Sequence, residues 1–256
     1  MRGLTGKRIL VASGATGIGA ATAERLAAEG ASLIVGDIND AGCAETVERI
    51  RHAGGTAHAA HYDLADGDSI SSLVDTCTAR YGGIDGLANI GADVGTETLK
   101  NDFDVGAMDV SIWERTFRVN LIGHALLMKA ALPHFIAQGG GAIVSVSSAA
   151  AYQGDGAIPA YASSKAALHA LIRHVARRWG KNNVRCNGVA PGLVLTAPAR
   201  AAFTSEELDK NLELLPLTRH GKAADLAATI TYLLSEDAAW ITGQVISVNG
   251  GFAFRD

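Results

Sequence analysis

Residues 8–19 read Arg-Ile-Leu-Val-Ala-Ser-Gly-Ala-Thr-Gly-Ile-Gly. The run Arg8–Ala12 is short and apolar, which predicts a buried strand. Small residues follow it. Ile18, Ala21, Ala23, Leu26 and Ala27 then recur at helical spacing, and Gly30 supplies a stop. A strand, a small-residue turn and a helix bring free backbone N–H groups and the positive end of a helix dipole to one place. That place suits a pyrophosphate. Glycines in such a number also occur in ordinary turns, so the strand before and the helix after carry the reading. Ser13, Thr16, Gly17, Ile18 and Gly19 are the expected contacts to a dinucleotide.

The same alternation continues outward. Strands are predicted at 32–35, 56–61, 84–89, 142–147, 184–190 and 243–248. Helices are predicted at 41–53, 69–81, 111–137, 160–179 and 223–234. Ser111 with Glu114 reads as a capping box opening the long third helix of that set, and Thr204 with Glu207 as another opening a short one. Residues 91–110 read as an irregular polar loop. Strand–helix alternation without long hairpins gives an α/β class: a Rossmann-like, doubly wound parallel sheet of about seven strands with helices on both faces. No linker or repeat divides the chain, so 1–256 is expected to be a single domain. Ligands of such sheets bind beyond the carboxyl ends of the strands.

Composition narrows the partners. The net charge is −4 and no basic run is present, which argues against nucleic acid. Cys43, Cys77 and Cys186 are scattered without a CxxC pair and read as reduced thiols of a cytoplasmic protein. Residues 1–7 lack the apolar core of a signal peptide, and no membrane span is expected. His58 and His61 stand close together, but no metal-ligand set accompanies them, so no metal is expected.

Three further positions carry chemistry. Asp37 lies at the end of the second strand, 18 residues after Gly19. A carboxylate there accepts hydrogen bonds from an adenosine ribose and repels the extra phosphate of NADP, so the expected cofactor is NAD. Tyr161 and Lys165 are four apart in a helical stretch and share a face. A phenol with pKa about 10 is a poor base at neutral pH. An ammonium about 4 Å away, at an effective dielectric near 20, is worth about 4 kcal/mol, or roughly three pKa units. Ser148 ends a strand 13 residues before Tyr161, from where its hydroxyl can hold a carbonyl oxygen. Asn120 stands mid-helix in Arg-Val-Asn-Leu-Ile-Gly, where an amide has to face a partner or the surface.

Taken in order, these pieces resemble the short-chain dehydrogenase/reductase family over essentially the whole chain. The carriers are the Ala-Ser-Gly-Ala-Thr-Gly-Ile-Gly loop, Asp37, Asp63-Leu64, the Asn89 region, Asn120, Ser148, Tyr-Ala-Ser-Ser-Lys at 161–165, and Pro191-Gly192 after a strand. The resemblance implies that Tyr161 is the acid/base of a reaction interconverting a secondary alcohol and a ketone. It implies that Lys165 holds the nicotinamide ribose and lowers the phenol pKa, that Ser148 orients the substrate oxygen, and that Asn120 supports a water relay. Asp63 and Leu64 are expected at the adenine, Asn89 along the adenosine, and Pro191, Gly192, Val194 and Thr196 at the nicotinamide end. Residues 193–217 are expected to cover the active site. Their small and apolar side chains suggest a pocket for a cyclic or medium-sized alcohol. A homotetramer is implied as well.

Two departures from the family pattern stand out. Ala12-Ser13 replaces its Thr-Gly, and a left-handed backbone at Ser13 is expected to be avoided by local adjustment. Asn89-Ile90-Gly91-Ala92 lacks its second Asn. Two other readings remain: an NADPH-dependent ketoreductase, for instance of acyl thioesters, which Asp37 disfavours, and a non-catalytic dinucleotide sensor.

Overall fold

The computed structural model describes residues 1–154 and 157–254, with Thr96 by its backbone alone. Seven strands form one sheet: β1 (Arg8–Ala12), β2 (Ser32–Asp37), β3 (Thr56–His61), β4 (Gly86–Asn89), β5 (Gly141–Val146), β6 (Val184–Pro191) and β7 (Val245–Val248). Their order is β3-β2-β1-β4-β5-β6-β7, and every pairing is parallel. The order reverses beside β1, so the carboxyl ends of β1 and β4 flank the crevice where open α/β sheets bind ligands.

Parallel strands need crossovers, and helices supply them. These are α1 (Gly17–Ala28), α2 (Asp40–His52), α3 (Gly67–Tyr81), α4 (Thr96–Lys100), α5 (Val110–Phe117), α6 (His124–Ala137), α7 (Pro159–Trp179), α8 (Ala197–Ala202), α9 (Ser205–Glu213) and α10 (Ala223–Leu234). Alternation along β1 divides the core. Ile9 and Val11 face a cluster with Leu26 of α1, Val47 of α2 and Ile230 of α10. Leu10 and Ala12 face Leu73 of α3, Leu127 of α6 and Leu168 of α7. The central strands are apolar almost throughout because both faces are covered. At the edge, β3 buries only Ala57, and its other residues are half-buried or exposed.

The predicted elements are present, with four differences. The capping box expected at Ser111 does not form. Instead α5 starts earlier, and the Asp109 carboxylate takes both the N–H and the hydroxyl of Ser111, at 2.8 and 2.7 Å. A charged acceptor two residues upstream outcompetes the serine. The long helix is also not uniform: a π-helical stretch, Arg118–Gly123, separates α5 from α6. The loop 91–110 contains α4 and a short 3-10 turn, and it sends Asp102 inward. The last strand starts at Val245, because Gly243 is left-handed, with φ +74°. The box at Thr204 and Glu207 forms as read.

One expectation needs correction on composition. The continuous helical run Val110–Ala137 is long and apolar enough to cross a membrane by those criteria alone. Its apolar side chains have a different use here. Leu127, Met128, Ala131 and Phe135 are buried against the sheet.

Candidate active site

The loop between β1 and α1 is fastened to β2. The N–H groups of Ser13 and Gly14 both donate to Gly36 O, at 2.7 and 3.0 Å. Ser13 is left-handed after all, with φ +73°. The two bonds to Gly36 hold that turn, so the expected local adjustment does not occur. A Cβ on Gly19 would stand 1.7 Å from Ser13 O, which excludes any other residue there. Gly17 is also left-handed, at φ +56°. Thr16 precedes α1 without capping it through its side chain. Among the described residues no side chain caps the first N–H groups of α1, which leaves them available to an anion.

Asp37 sits at the end of β2. One carboxylate oxygen accepts the N–H of Ala15 at 2.9 Å, and the other that of Asn39 at 2.9 Å. It thus shapes the loop as well as ending the strand. Asp63 accepts the N–H of Ala65 at 2.8 Å, and Leu64 is buried against the π-helical stretch at Gly123. Asn89 is fully buried, and its Nδ2 donates to His124 O at 3.3 Å. Its side chain therefore ties β4 to the helix layer.

Tyr161 and Lys165 share one face of α7, and Ser148 follows β5. The Ser148 hydroxyl lies close enough to the Tyr161 phenol to favour its ionised form. Lys165 is fully buried, and its Nζ donates to Val146 O at 2.9 Å. Anchored there, Nζ stands 5.8 Å from the Tyr161 ring centroid. Burial raises the phenol above the ordinary tyrosine value, and the Ser148 hydrogen bond opposes the rise. The net direction is upward, opposite to the fall that the spacing alone predicts. Burial pushes Lys165 itself down to about 7. Behind this pair, Ser147 Oγ bridges Lys165 O at 3.2 Å and His169 Nε2 at 2.6 Å.

Asn120 is fully buried inside the π-helical stretch. Its Oδ1 accepts the N–H of Asp93 at 2.7 Å. The Asp93 carboxylate pairs with Arg115 at 2.5 Å and accepts the Thr98 hydroxyl at 3.0 Å. Asn120 thereby fixes the start of the loop 91–110.

Two residues escaped the sequence reading. Asp102, in that loop, accepts the N–H groups of Ala160 and Tyr161 at the start of α7. Its signal was hidden in a mixture of charges that read as surface. His124 is fully buried, and its Nε2 donates to Gly91 O at 2.7 Å. A His one helical turn after Asn120, in an otherwise apolar helix, was the available clue.

The remaining predicted positions lie at the ends of β6 and beyond. Pro191 ends β6, and Gly192 packs on Asn249, where a Cβ would meet Asn249 O at 3.1 Å. Val194 pairs with Gly221 in an isolated bridge. Thr196 caps α8 through the N–H of Ala199 and lies over the phosphate loop, where a Cβ on Gly17 would meet its Cγ2 at 3.0 Å. Within 193–217, Phe203, Leu214 and Leu217 are exposed. Among the described residues no group of three or more His, Cys, Asp or Glu is placed to hold a metal.

Known proteins share this arrangement. A family model described as enoyl-(acyl carrier protein) reductase matches residues 12–253. A probable short-chain type dehydrogenase/reductase of Bradyrhizobium diazoefficiens is 37% identical over 96% of this chain and 87% of its own. A cis-4-hydroxycyclohexanecarboxylate dehydrogenase of Sinomonas cyclohexanicum is 34% identical over 96% of each chain. The solved structure of a 7α-hydroxysteroid dehydrogenase with NADH and 7-oxo glycochenodeoxycholic acid superposes with a TM-score of 0.92, at 32% identity, over 97% of this chain and 94% of that one. Similarity of this extent, end to end and in both sequence and fold, places the chain in the short-chain dehydrogenase/reductase family.

Proposed function

We propose that the protein is an NAD(H)-dependent oxidoreductase that interconverts a secondary alcohol and a ketone, with Tyr161 as the acid/base. The observation that carries this reading is the Ser148–Tyr161 hydroxyl pair above the buried Lys165. Two hydroxyls side by side hold one substrate oxygen and exchange one proton with it. That pair favours chemistry at a C–O bond over the enoyl reduction named in the family description.

The crevice fits a dinucleotide. The free N–H groups of α1 and the close approach at Gly19 suit a pyrophosphate, with Ser13, Thr16, Gly17 and Ile18 around it. Asp37 has lone pairs left for ribose hydroxyls and presents negative charge where NADP carries its extra phosphate. Asp63 and Leu64 would border the adenine, and Pro191, Gly192, Val194 and Thr196 the nicotinamide end. The cofactor, when bound, supplies the two-electron oxidant or reductant. In oxidation the alcohol O–H proton passes to Tyr161 Oη while the C–H bond breaks and its electron pair leaves with the hydrogen. Ser148 holds the substrate oxygen as it becomes a carbonyl. Lys165 keeps a positive or hydrogen-bonding neighbour behind the phenol.

The substrate we infer is a ring alcohol. The hydroxysteroid and hydroxycyclohexanecarboxylate dehydrogenases both take, by name, a hydroxyl on a saturated ring. Apolar side chains of 193–217, with Phe203 among them, would close over such a ring. A homo-oligomer is part of the reading. Val105, Val110 and Ile122 are exposed along the α5 side, and Trp240 and Phe254 lie exposed elsewhere on the surface.

The test is a titration with NADH and, separately, NADPH, followed by nicotinamide fluorescence, then an assay with cyclic secondary alcohols and NAD. Binding of NADH with turnover of a ring alcohol supports the reading. Preference for NADPH moves it to a ketoreductase, and binding without turnover of any alcohol moves it to a sensor.

A further inference from the structure

Four buried side-chain atoms between the sheet and the π-helical stretch find no hydrogen-bond partner among the described residues: His124 Nδ1, Asn120 Nδ2, Asn89 Oδ1 and Ser145 Oγ. All four residues are fully buried. The four residues are neighbours. Asn89 Nδ2 donates to His124 O at 3.3 Å. Asn89 and Ser145 are register partners on β4 and β5, so their side chains leave the same face of the sheet. That face carries Leu87 and Ile143 against α6 and α7. Asn120 and His124 are one helical turn apart.

The polarity of the cluster is fixed. Gly91 O can only accept, so the His124 proton is on Nε2 and Nδ1 presents a lone pair. Burial, and then the charge of Lys165, push His124 down to about 3, so the ring is neutral. Lys165 donates to Val146 O, the residue next to Ser145. The cluster therefore lies behind the catalytic lysine. Asn120 Nδ2 offers a donor, while His124 Nδ1 and Asn89 Oδ1 offer acceptors. A single water in reach of all three would satisfy them, three being the usual number of bonds for a buried water, and Ser145 Oγ could complete its shell.

We propose that His124 is a positioning residue of the reaction: with Asn120 and Asn89 it holds a buried water behind Lys165, and through Gly91 O it fixes the turn after β4. Ile90 stands in that turn, with an apolar side chain that cannot make these bonds. The proposal rests on the oxidoreductase reading, in which the proton collected by Tyr161 has to leave through the protein. The neutral ring acts through the water and Asn120, without touching substrate.

Two measurements test it. The first is a high-resolution crystal structure of the wild-type enzyme with NADH. An ordered water within about 3.2 Å of His124 Nδ1, Asn120 Nδ2 and Asn89 Oδ1 is expected. A dry site, or a direct His124–Asn120 bond, overturns the proposal, and this result does not depend on any activity. The second compares His124→Phe with His124→Gln, which keeps a donor for Gly91 O and an acceptor beside it. His124→Phe should lose about 10-fold in kcat, roughly double the solvent isotope effect on kcat, and bind NADH within about two-fold of wild type. His124→Gln should recover most of the loss. A wild-type isotope effect in His124→Phe overturns the role. Should neither variant bind NADH, the wild-type water decides alone.

Discussion

The carboxylate of Asp102 accepts the backbone N–H of Tyr161 at 2.9 Å, and its other oxygen accepts that of Ala160 at 2.9 Å. The chain needs this help. The first N–H groups of a helix have no partner inside it. The usual capping position is filled by Ile158, which has no acceptor and sits at φ +53°. Asp102 comes from a distant loop and is itself buried. Its negative charge also suits the positive end of the helix. The height of the phenol over Ser148 thus depends on the loop 91–110, which Asn120 fastens at its other end through Asp93.

Asp102→Ala removes both acceptors and leaves two buried N–H groups unpaired. A loss of about 2 kcal/mol in folding stability is expected, within the range for a lost cap and for buried donors left unmade. Urea unfolding reads it. The same variant should lower kcat more than it raises KM for NAD, since the phenol moves and the phosphate loop does not. Asp102→Asn keeps one good acceptor and should fall between. Wild-type stability in the alanine variant would show that another group caps α7.

Much of this was legible in the sequence, and the pattern of success is physical. Strand–helix alternation is set by local periodicity, so the sheet and its helices could be read residue by residue. Tyr161 and Lys165 were visible because four-residue spacing fixes a shared helix face. Asp102 was not, because its partners are 58 and 59 residues away in the chain and its neighbours are charged. The setting of Lys165 was hidden for a similar reason. Spacing puts Lys165 beside Tyr161, but the hydrogen bond that anchors Nζ comes from β5. The π-helical stretch has no local signal beyond an oddly placed Asn120.

Ser13 stores backbone strain that glycine would not. At φ +73° an L-residue other than glycine is disfavoured by about 1 kcal/mol or more. Its Oγ fills the space that a Cβ at position 91 would need, which Gly91 leaves open. Ser13→Gly should therefore raise stability by about 1 kcal/mol, partly offset by the freer unfolded chain. NADH affinity should stay close to wild type, because the turn is held by backbone bonds to Gly36. A large loss of affinity would assign the Ser13 hydroxyl to the phosphate instead.

Asp37→Ala should narrow the preference for NADH over NADPH and weaken both. The first effect follows from removing a negative charge at the ribose. The second follows from freeing the Ala15 N–H that Asp37 holds in the loop. Fluorescence titration with each cofactor separates the two. An unchanged ratio with weaker binding would leave Asp37 as a brace for the loop only.

The direction of the Tyr161 shift sets the pH dependence of the reaction. Burial raises the phenol, so across the neutral range it carries its proton. Oxidation needs the phenolate to take the substrate proton, and reduction needs the phenol to give one. The oxidation rate should therefore climb from neutral into alkaline pH, while reduction falls over the same interval. Ser148 lowers the phenol pKa, so Ser148→Ala should move the oxidation limb to higher pH as well as slow the reaction. Lys165, pushed down to about 7, titrates at the neutral end of the same profile. Tyr161→Phe should bind NADH normally and lose turnover on the order of 10³-fold, the scale of general acid/base catalysis. Initial rates in both directions across pH 6 to 10 make the comparison. A flat oxidation profile, or wild-type turnover in Tyr161→Phe, would move the proton transfer to another residue.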